Sequence, residues 1–207
     1  MKRVTEAEIK QAAEAAGLTY AELKTFIAVE SSGRGFSDTG KLIIQFEPHL
    51  FKKNAAAEYQ RYIAATTGTD REAIKMLKFT WQPVLENKID VQSREWAAFN
   101  AAFSINREAA MRSTSIGLPQ ILGSHFARLG FTSAGAMWDY FKAGEVNHVH
   151  VLARFIATDA RLFRTIKARD WHMVATLYNG KYYRELAVRI GREPYDISLA
   201  KAFRRYS

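Results

Sequence analysis

Cysteine is absent from the 207 residues. That excludes a disulfide scaffold and any thiolate metal site, and it fits a chain made and folded in a reducing cytoplasm. Long apolar runs are also missing, since no stretch of roughly 18 apolar residues exists to span a membrane. The opening MKRVTEAEIKQ carries Lys2 and Arg3 with no apolar segment behind them, so no signal peptide is expected. Glycine-rich phosphate loops are lacking, because GRGF and GTD are too short and wrongly flanked. Internal repeats, low-complexity tracts and Pro/Gly/Ser linkers are absent as well. A single domain over 1–207 is the expectation, with 52–112, more polar and alanine-rich, as a candidate helical insertion. The 48% hydrophobic content is enough for a chain this long to bury a core without cross-links.

Negative charge is in deficit: 21 Asp and Glu face 30 Lys and Arg, a net charge of +9 with a pI near 9.7. That balance favours polyanions such as nucleic acid, anionic lipid or an acidic cell wall, and composition alone does not choose among them. The C-terminal stretch 181–207 holds seven Lys/Arg against three Asp/Glu. It reads as basic amphipathic helices packed on the body by Leu199, Ala202 and Phe203.

What is present is helical periodicity. Helices are predicted at roughly 5–16, 19–31, 55–67, 70–78, 93–103, 106–113, 117–128, 133–142, 145–157, 159–168, 170–178, 182–190 and 195–205. Thr5 with Glu8, and Thr19 with Glu22, have the spacing of capping boxes, and Gly17 is a helix stop. One segment breaks the pattern. In Phe36–Glu47 a turn-like Asp38-Thr39-Gly40 precedes a β-prone run that Pro48 ends, and a small hairpin is predicted there.

Glu30 stands in an unexpected place. The second helix carries its apolar stripe at Leu23, Phe26 and Ile27, and the next position on that stripe is Glu30. Burial disfavours a charged carboxylate, and the negative end of the helix dipole adds about 0.3–1 kcal/mol in the same direction. Both push its pKa upward. A carboxylic acid that stays protonated near neutral pH can protonate the leaving oxygen of a glycosidic bond. From position alone, a buried glutamate paired to an arginine explains the same pattern.

Four segments in order narrow the choice: VESSGRGF, IIQFEPHLF, STSIGLPQILGSHFARLGF, and ATLYNGKYY followed by YDISLAKAF. Together they resemble the N-acetylmuramidase family of phage-type endolysins. More distantly they resemble goose-type lysozymes and lytic transglycosylases, which share a Glu-Ser, a Gly-Leu-x-Gln-Ile turn and a Tyr-Asn-Gly segment. The resemblance covers roughly 20–50 and 105–206.

It implies a mainly α, lysozyme-like α+β fold with a small β-hairpin beside the active-site cleft. It also implies an enzyme that cleaves the β-1,4 bond between N-acetylmuramic acid and N-acetylglucosamine in bacterial peptidoglycan. Glu30 matches the family's catalytic acid. Glu47 is a candidate second carboxylate or an organiser of the hairpin. Ser115 and Gln120 frame the Gly-Leu-x-Gln-Ile turn as sugar-binding candidates, although Gln120 could equally tie loop backbone together. Tyr178 is positioned to bond Glu30 or a sugar, and Asn179, before Gly180, is a substrate contact or simply a helix cap. Two departures stand out: Ile116 and Pro119 occupy positions where the family commonly has aromatics, which puts sugar stacking in question. Whether water or the muramyl 6-hydroxyl attacks is open, so the 1,6-anhydro product of a lytic transglycosylase remains an alternative.

No cofactor or metal is implied. His148 and His150, two apart, fall on different helix faces and lack the spacing of a metal pair. His49, His125 and His172 read as packing or surface residues, and Ser31 and Ser32 lack a partner arrangement for a serine hydrolase. A helical nucleic-acid-binding protein is the rival class, but the positive charge is spread along the chain rather than gathered on one helix. The resemblance further implies a protein made in the host bacterial cytoplasm and released to the wall through a holin. A monomer is expected, and the basic C-terminus is, as a separate hypothesis, a candidate contact for anionic outer-membrane lipid.

Overall fold

The computed structural model describes residues 3–30, 34–65 and 89–207; the helix predicted at 70–78 lies outside them. Both predicted capping boxes form. Thr5 accepts from the Glu8 backbone and Glu8 from that of Thr5, opening α1 (Glu6–Ala15). Thr19 and Glu22 repeat the arrangement at α2 (Tyr20–Val29). Between the two helices Gly17 turns the chain with φ 70°, a conformation that a Cβ disfavours. The buried Glu22 carboxylate also takes an ion pair from Lys167 at 2.7 Å.

The sheet is not the local hairpin predicted for 36–47. The Ser37–Gly40 turn is closed by an antiparallel bridge between Phe36 and Leu42 and by the Gly40 N–H donating to the Ser37 carbonyl at 2.9 Å. The strand that follows, β1 (Ile44–Phe46), pairs antiparallel with β2 (Thr114–Ile116), which in turn pairs with β3 (Ile121–Leu122). Alternation decides the faces. Ile44, Phe46, Thr114 and Ile116 point into the core, while Gln45 and its partner Ser115 point outward. The helix predicted at 117–128 is instead a tight turn, β3 and a 3-10 turn at Gly123–His125. Gly117 and Gln120 adopt φ of 67° and 49°, which a right-handed helix cannot absorb. Pro48, expected only to end the strand, also opens the short helix α3 (Pro48–Asn54) from its first position.

The remaining helices are α4 (Ala56–Ala65), α5 (Ile89–Ile105), α6 (Arg107–Arg112), α7 (Ala134–Lys142), α8 (Glu145–Ala157), α9 (Ala160–Lys167), α10 (Trp171–Asn179), α11 (Tyr183–Arg189) and α12 (Tyr195–Tyr206). Two apolar clusters form. One joins the sheet to α3 through α7 around Phe51, Phe99, Ile116 and Trp138. The other joins α1 and α2 to α9, α10 and α12 around Leu23, Phe26, Leu162 and Leu199. Helix α8 serves both, with Val151 in the first and Val149, Leu152 and Ile156 in the second. Leu199 anchors α12 as predicted, and Phe203 packs its ring 5.1 Å from that of Trp171. Among the described residues no helix is long and apolar enough to cross a membrane.

Candidate active site

A cleft of about 910 Å³ opens where the end of α2, the outer face of the sheet, the end of α10 and the start of α12 meet. All six predicted site residues line it: Glu30, Glu47, Ser115, Gln120, Tyr178 and Asn179. The volume is near the upper end of the ~300–1,000 Å³ typical of ligand pockets. A recess of about 360 Å³ continues past Glu47 to His49, Leu50, Ser115 and Leu122.

Glu30 is the C-terminal cap of α2. Its N–H still donates to the Phe26 carbonyl at 2.9 Å, but its backbone is already extended at ψ 148°, which turns the half-buried side chain out of the stripe and into the cleft. Burial raises its pKa to about 7, against the opposing pull of a hydrogen bond from Tyr195. The Tyr195 hydroxyl donates to Glu30 Oε1. The arginine pairing left open by the sequence does not occur: among the described residues no cation pairs with Glu30.

Tyr178 was expected to bond Glu30 or a sugar. Its hydroxyl instead donates to the Pro119 carbonyl at 3.1 Å. Its ring stacks on Tyr195 at 6.0 Å and 13° and leans on Phe26 at 5.2 Å. The result is one chain of contacts running from the β2–β3 turn through Tyr178 and Tyr195 to the Glu30 carboxyl. Burial and the nearby Glu30 charge push both tyrosine pKa values well up, so both hydroxyls keep their protons at any working pH.

Glu47 follows β1. Its N–H donates to Ser113 O at 2.9 Å, and Gln45 Nε2 donates to its Oε1 at 3.1 Å. The second oxygen, Oε2, is buried and has no hydrogen-bond partner among the described residues. His49 Nδ1 stands 3.5 Å from it on an exposed ring, too far for a good bond. Burial first, and the neighbouring Glu95 charge second, raise the Glu47 pKa to about 7, while the Gln45 bond pulls it down. Glu95 is itself tied to the Phe46 N–H at 2.7 Å.

Ser115 lies half-buried at the middle of β2 beside Gln45. Gln120 donates from Nε2 to the carbonyls of Gly117 at 2.6 Å and Ile43 at 3.4 Å, so it ties the turn to the sheet. Asn179 is exposed at the end of α10, before Gly180 with φ 88°. Ile116, one of the two departures, is fully buried in the core. An aromatic at that register would therefore face the core rather than the cleft. Pro119, the other, supplies the carbonyl that holds Tyr178.

Sequence reasoning missed Tyr195, Gln45 and Glu95. Gln45 was readable in principle, since residues i and i+2 of a strand share a face and Gln45 and Glu47 flank Phe46. Tyr195 sat inside the YDISLAKAF segment, but only as the opening of a helix.

Three comparisons bear on this cleft. A family model described as Muramidase, N-acetylmuramidase, matches residues 19–207. No curated protein matches the chain. Among solved structures, the crystal structure of Burkholderia AP3 phage endolysin aligns with 99% of this chain and 71% of its own, at a TM-score of 0.73 and 27% identity.

Proposed function

From the premise that this chain belongs to the N-acetylmuramidase family, glycoside hydrolases that degrade peptidoglycan, we propose that Glu30 is its catalytic acid and Glu47 its second carboxylate. Protonated Glu30 gives its proton to the oxygen of the β-1,4 bond as that oxygen leaves C1 of N-acetylmuramic acid. Positive charge develops on C1. Ionised Glu47 takes a proton from a water that attacks C1, and the product is a reducing muramyl end. Solvent then reprotonates Glu30 and takes the proton from Glu47. The observation that carries this reading is the Glu30 carboxyl itself. It is aimed into the cleft, held by an uncharged tyrosine and unpaired with any cation among the described residues, with its pKa near 7.

Ser115, Gln120 and Asn179 are read as sugar contacts. The Gln120 amide nitrogen is committed to backbone carbonyls, so its part is to hold the turn while its side-chain oxygen meets a sugar N–H. Residues 1–207 are read as one catalytic domain, which the placement of α8 in both apolar clusters supports. The chain is further read as a monomer made in the bacterial cytoplasm and released to the wall through a holin, with no nucleic-acid partner.

The test compares wild type and Glu30→Gln on purified peptidoglycan, with muropeptides identified by mass spectrometry. Loss of about 10²–10⁴-fold in the rate of the variant, with the fold intact, is expected for removal of a general acid. Equal clearing by the variant would make Glu30 a structural acid only. Anhydro-muramyl ends in the wild-type digest would replace water, and Glu47 as its base, with the muramyl 6-hydroxyl.

A second reading concerns the C-terminal surface. Val188 and Tyr182 are 79% and 63% exposed and Ile197 is 41% exposed, on a stretch that also carries Lys181, Arg184, Arg189 and Arg192. Apolar side chains exposed among cations fit an anionic lipid surface. Val188→Asp should weaken sedimentation with phosphatidylglycerol vesicles while leaving glycan cleavage unchanged. Equal sedimentation of the variant would sink this reading.

A further inference from the structure

His148 is fully buried on α8, and the reaction above does not use it. Its Nδ1 receives the Leu118 N–H at 3.1 Å, so that nitrogen carries no hydrogen. Its Nε2 therefore bears the proton and donates to the Phe141 carbonyl at 2.9 Å. Burial lowers the ring's pKa to about 4, which keeps it in this neutral form at neutral pH.

The ring sits in a slot that only glycines permit. A Cβ on Gly35 would lie 2.3 Å from His148 Nδ1, and one on Gly117 would lie 2.7 Å from the same atom. Gly35 is held against the ring from its other side. Its N–H donates to Glu145 Oε1 at 2.9 Å and its carbonyl accepts from Ile43 at 3.0 Å. Phe36 and Phe141 close the remaining sides, with centroids 5.0 and 4.8 Å from the imidazole.

We propose that His148 is a positioning residue for catalysis, fixing the β2–β3 turn from beneath so that the turn holds the proton-donating Glu30 in place. The link runs through adjacent groups. His148 holds the N–H of Leu118, and the carbonyl of the next residue, Pro119, holds the Tyr178 hydroxyl. Tyr178 stacks on Tyr195, and Tyr195 donates to Glu30. On its other face the same ring seats Gly35, five positions beyond Glu30 in the chain. The inference rests on Glu30 being the acid.

Two substitutions separate positioning from mere packing. Asparagine places a carbonyl oxygen where Nδ1 stands and keeps the Leu118 bond. Glutamine places its amide nitrogen where Nε2 stands, keeps the Phe141 bond and removes the ring nitrogen that accepts the Leu118 N–H. Both shorten the ring, so both lower the melting temperature. On soluble glycan strands, kcat of His148→Gln should fall about tenfold or more with KM little changed, while His148→Asn stays within about threefold of wild type, since small misplacements of a catalytic group cost rate. Equal kcat for the two variants, or a loss confined to KM, overturns the proposal.

If both variants fail to fold, Gly35→Ala keeps every group of the imidazole and displaces the ring, with the Glu145 stem at 3.1 Å giving by a few tenths of an ångström. A folded Gly35→Ala with wild-type kcat overturns the proposal too. In ¹⁵N spectra of the wild type the ring should be the neutral Nε2–H tautomer at pH 7, and an Nδ1–H tautomer counts against it. Glu30→Gln run alongside keeps the two claims apart. An active Glu30→Gln ends the acid assignment, whereas the Asn/Gln contrast at His148 still reports on the turn.

Discussion

Tyr195 donates its hydroxyl to Glu30 Oε1 across 165 positions of sequence. The bond and the burial around it act in opposite senses on the same carboxyl. Burial favours the neutral acid, and the hydrogen bond favours the charged carboxylate. A pKa of about 7 is the net result.

Removing the bond should therefore raise the Glu30 pKa further. In Tyr195→Phe the decline of activity on the alkaline side is expected to move to higher pH, even as kcat falls because the carboxyl loses its anchor. A pH–rate profile on soluble glycan strands checks this. An alkaline limb that stays in place, or moves down, would mean that another group sets it.

Glu47 shapes the other limb. The acid must be protonated and the base ionised, and both carboxyls sit near pKa 7. The activity profile is therefore expected to be a bell centred near pH 7. In Glu47→Gln the acid limb should vanish and the residual rate should plateau below pH 7. A bell that survives in Glu47→Gln assigns the base to another residue.

How much of this cleft was legible in the sequence depended on whether a feature is local. The Thr19–Glu22 capping box is written within four residues, and the misplaced carboxylate at Glu30 stands out against Leu23, Phe26 and Ile27 on one helix. The partner of β1 is not local. Ile44 pairs with Ile116, and nothing near Ile44 reveals this, so a hairpin with its own neighbours was the natural expectation. The helix predicted at 117–128 followed the spacing of Leu118, Ile121 and Leu122. What overrides it is backbone conformation at Gly117 and Gln120. Tyr195 was invisible for the same reason as the strand partner: its role is purely tertiary, and locally it only opens a helix after Pro194.

The raised carboxyl at Glu30 also has a cost for the fold. Its folded pKa lies above the unfolded value, so the folded state binds the proton more tightly. Relative stability is fully present below about pH 4.5 and is lost as pH rises through 7. Glu30→Gln, which cannot ionise, should be more stable than wild type at pH 8, on the order of 3 kcal/mol, with the gain fading toward pH 4.5. Urea midpoints at the two pH values test this. A gain that is absent at pH 8, or unchanged at pH 4.5, contradicts the burial account.

Thr19→Ala should separate stability from catalysis. It removes the oxygen that accepts the Glu22 N–H at the start of α2, a helix length away from Glu30. The expected cost is about 1 kcal/mol, with kcat at temperatures well below unfolding unchanged. A large drop in kcat would mean that the start of α2 moves its end.

Two glycines make a sharper contrast, because their constraints differ in kind. Gly40 adopts φ 75° in an open turn where a Cβ meets nothing within 4 Å. Gly40→Ala therefore meets only left-handed strain of about 1–2 kcal/mol. Gly123 has no such φ, yet a Cβ there would lie 2.0 Å from the Met111 carbonyl oxygen. That carbonyl belongs to backbone and also accepts the Trp138 indole N–H at 3.3 Å, so it cannot swing aside as a flexible side chain would. Gly123→Ala must move α6 against the Gly123–His125 turn and disturb the buried Trp138. Its cost should exceed that of Gly40→Ala by about 2 kcal/mol or more. Melting temperatures of the two variants side by side decide it. A Gly123→Ala no less stable than Gly40→Ala would mean that the close approach of Gly123 to Met111 does not constrain the fold.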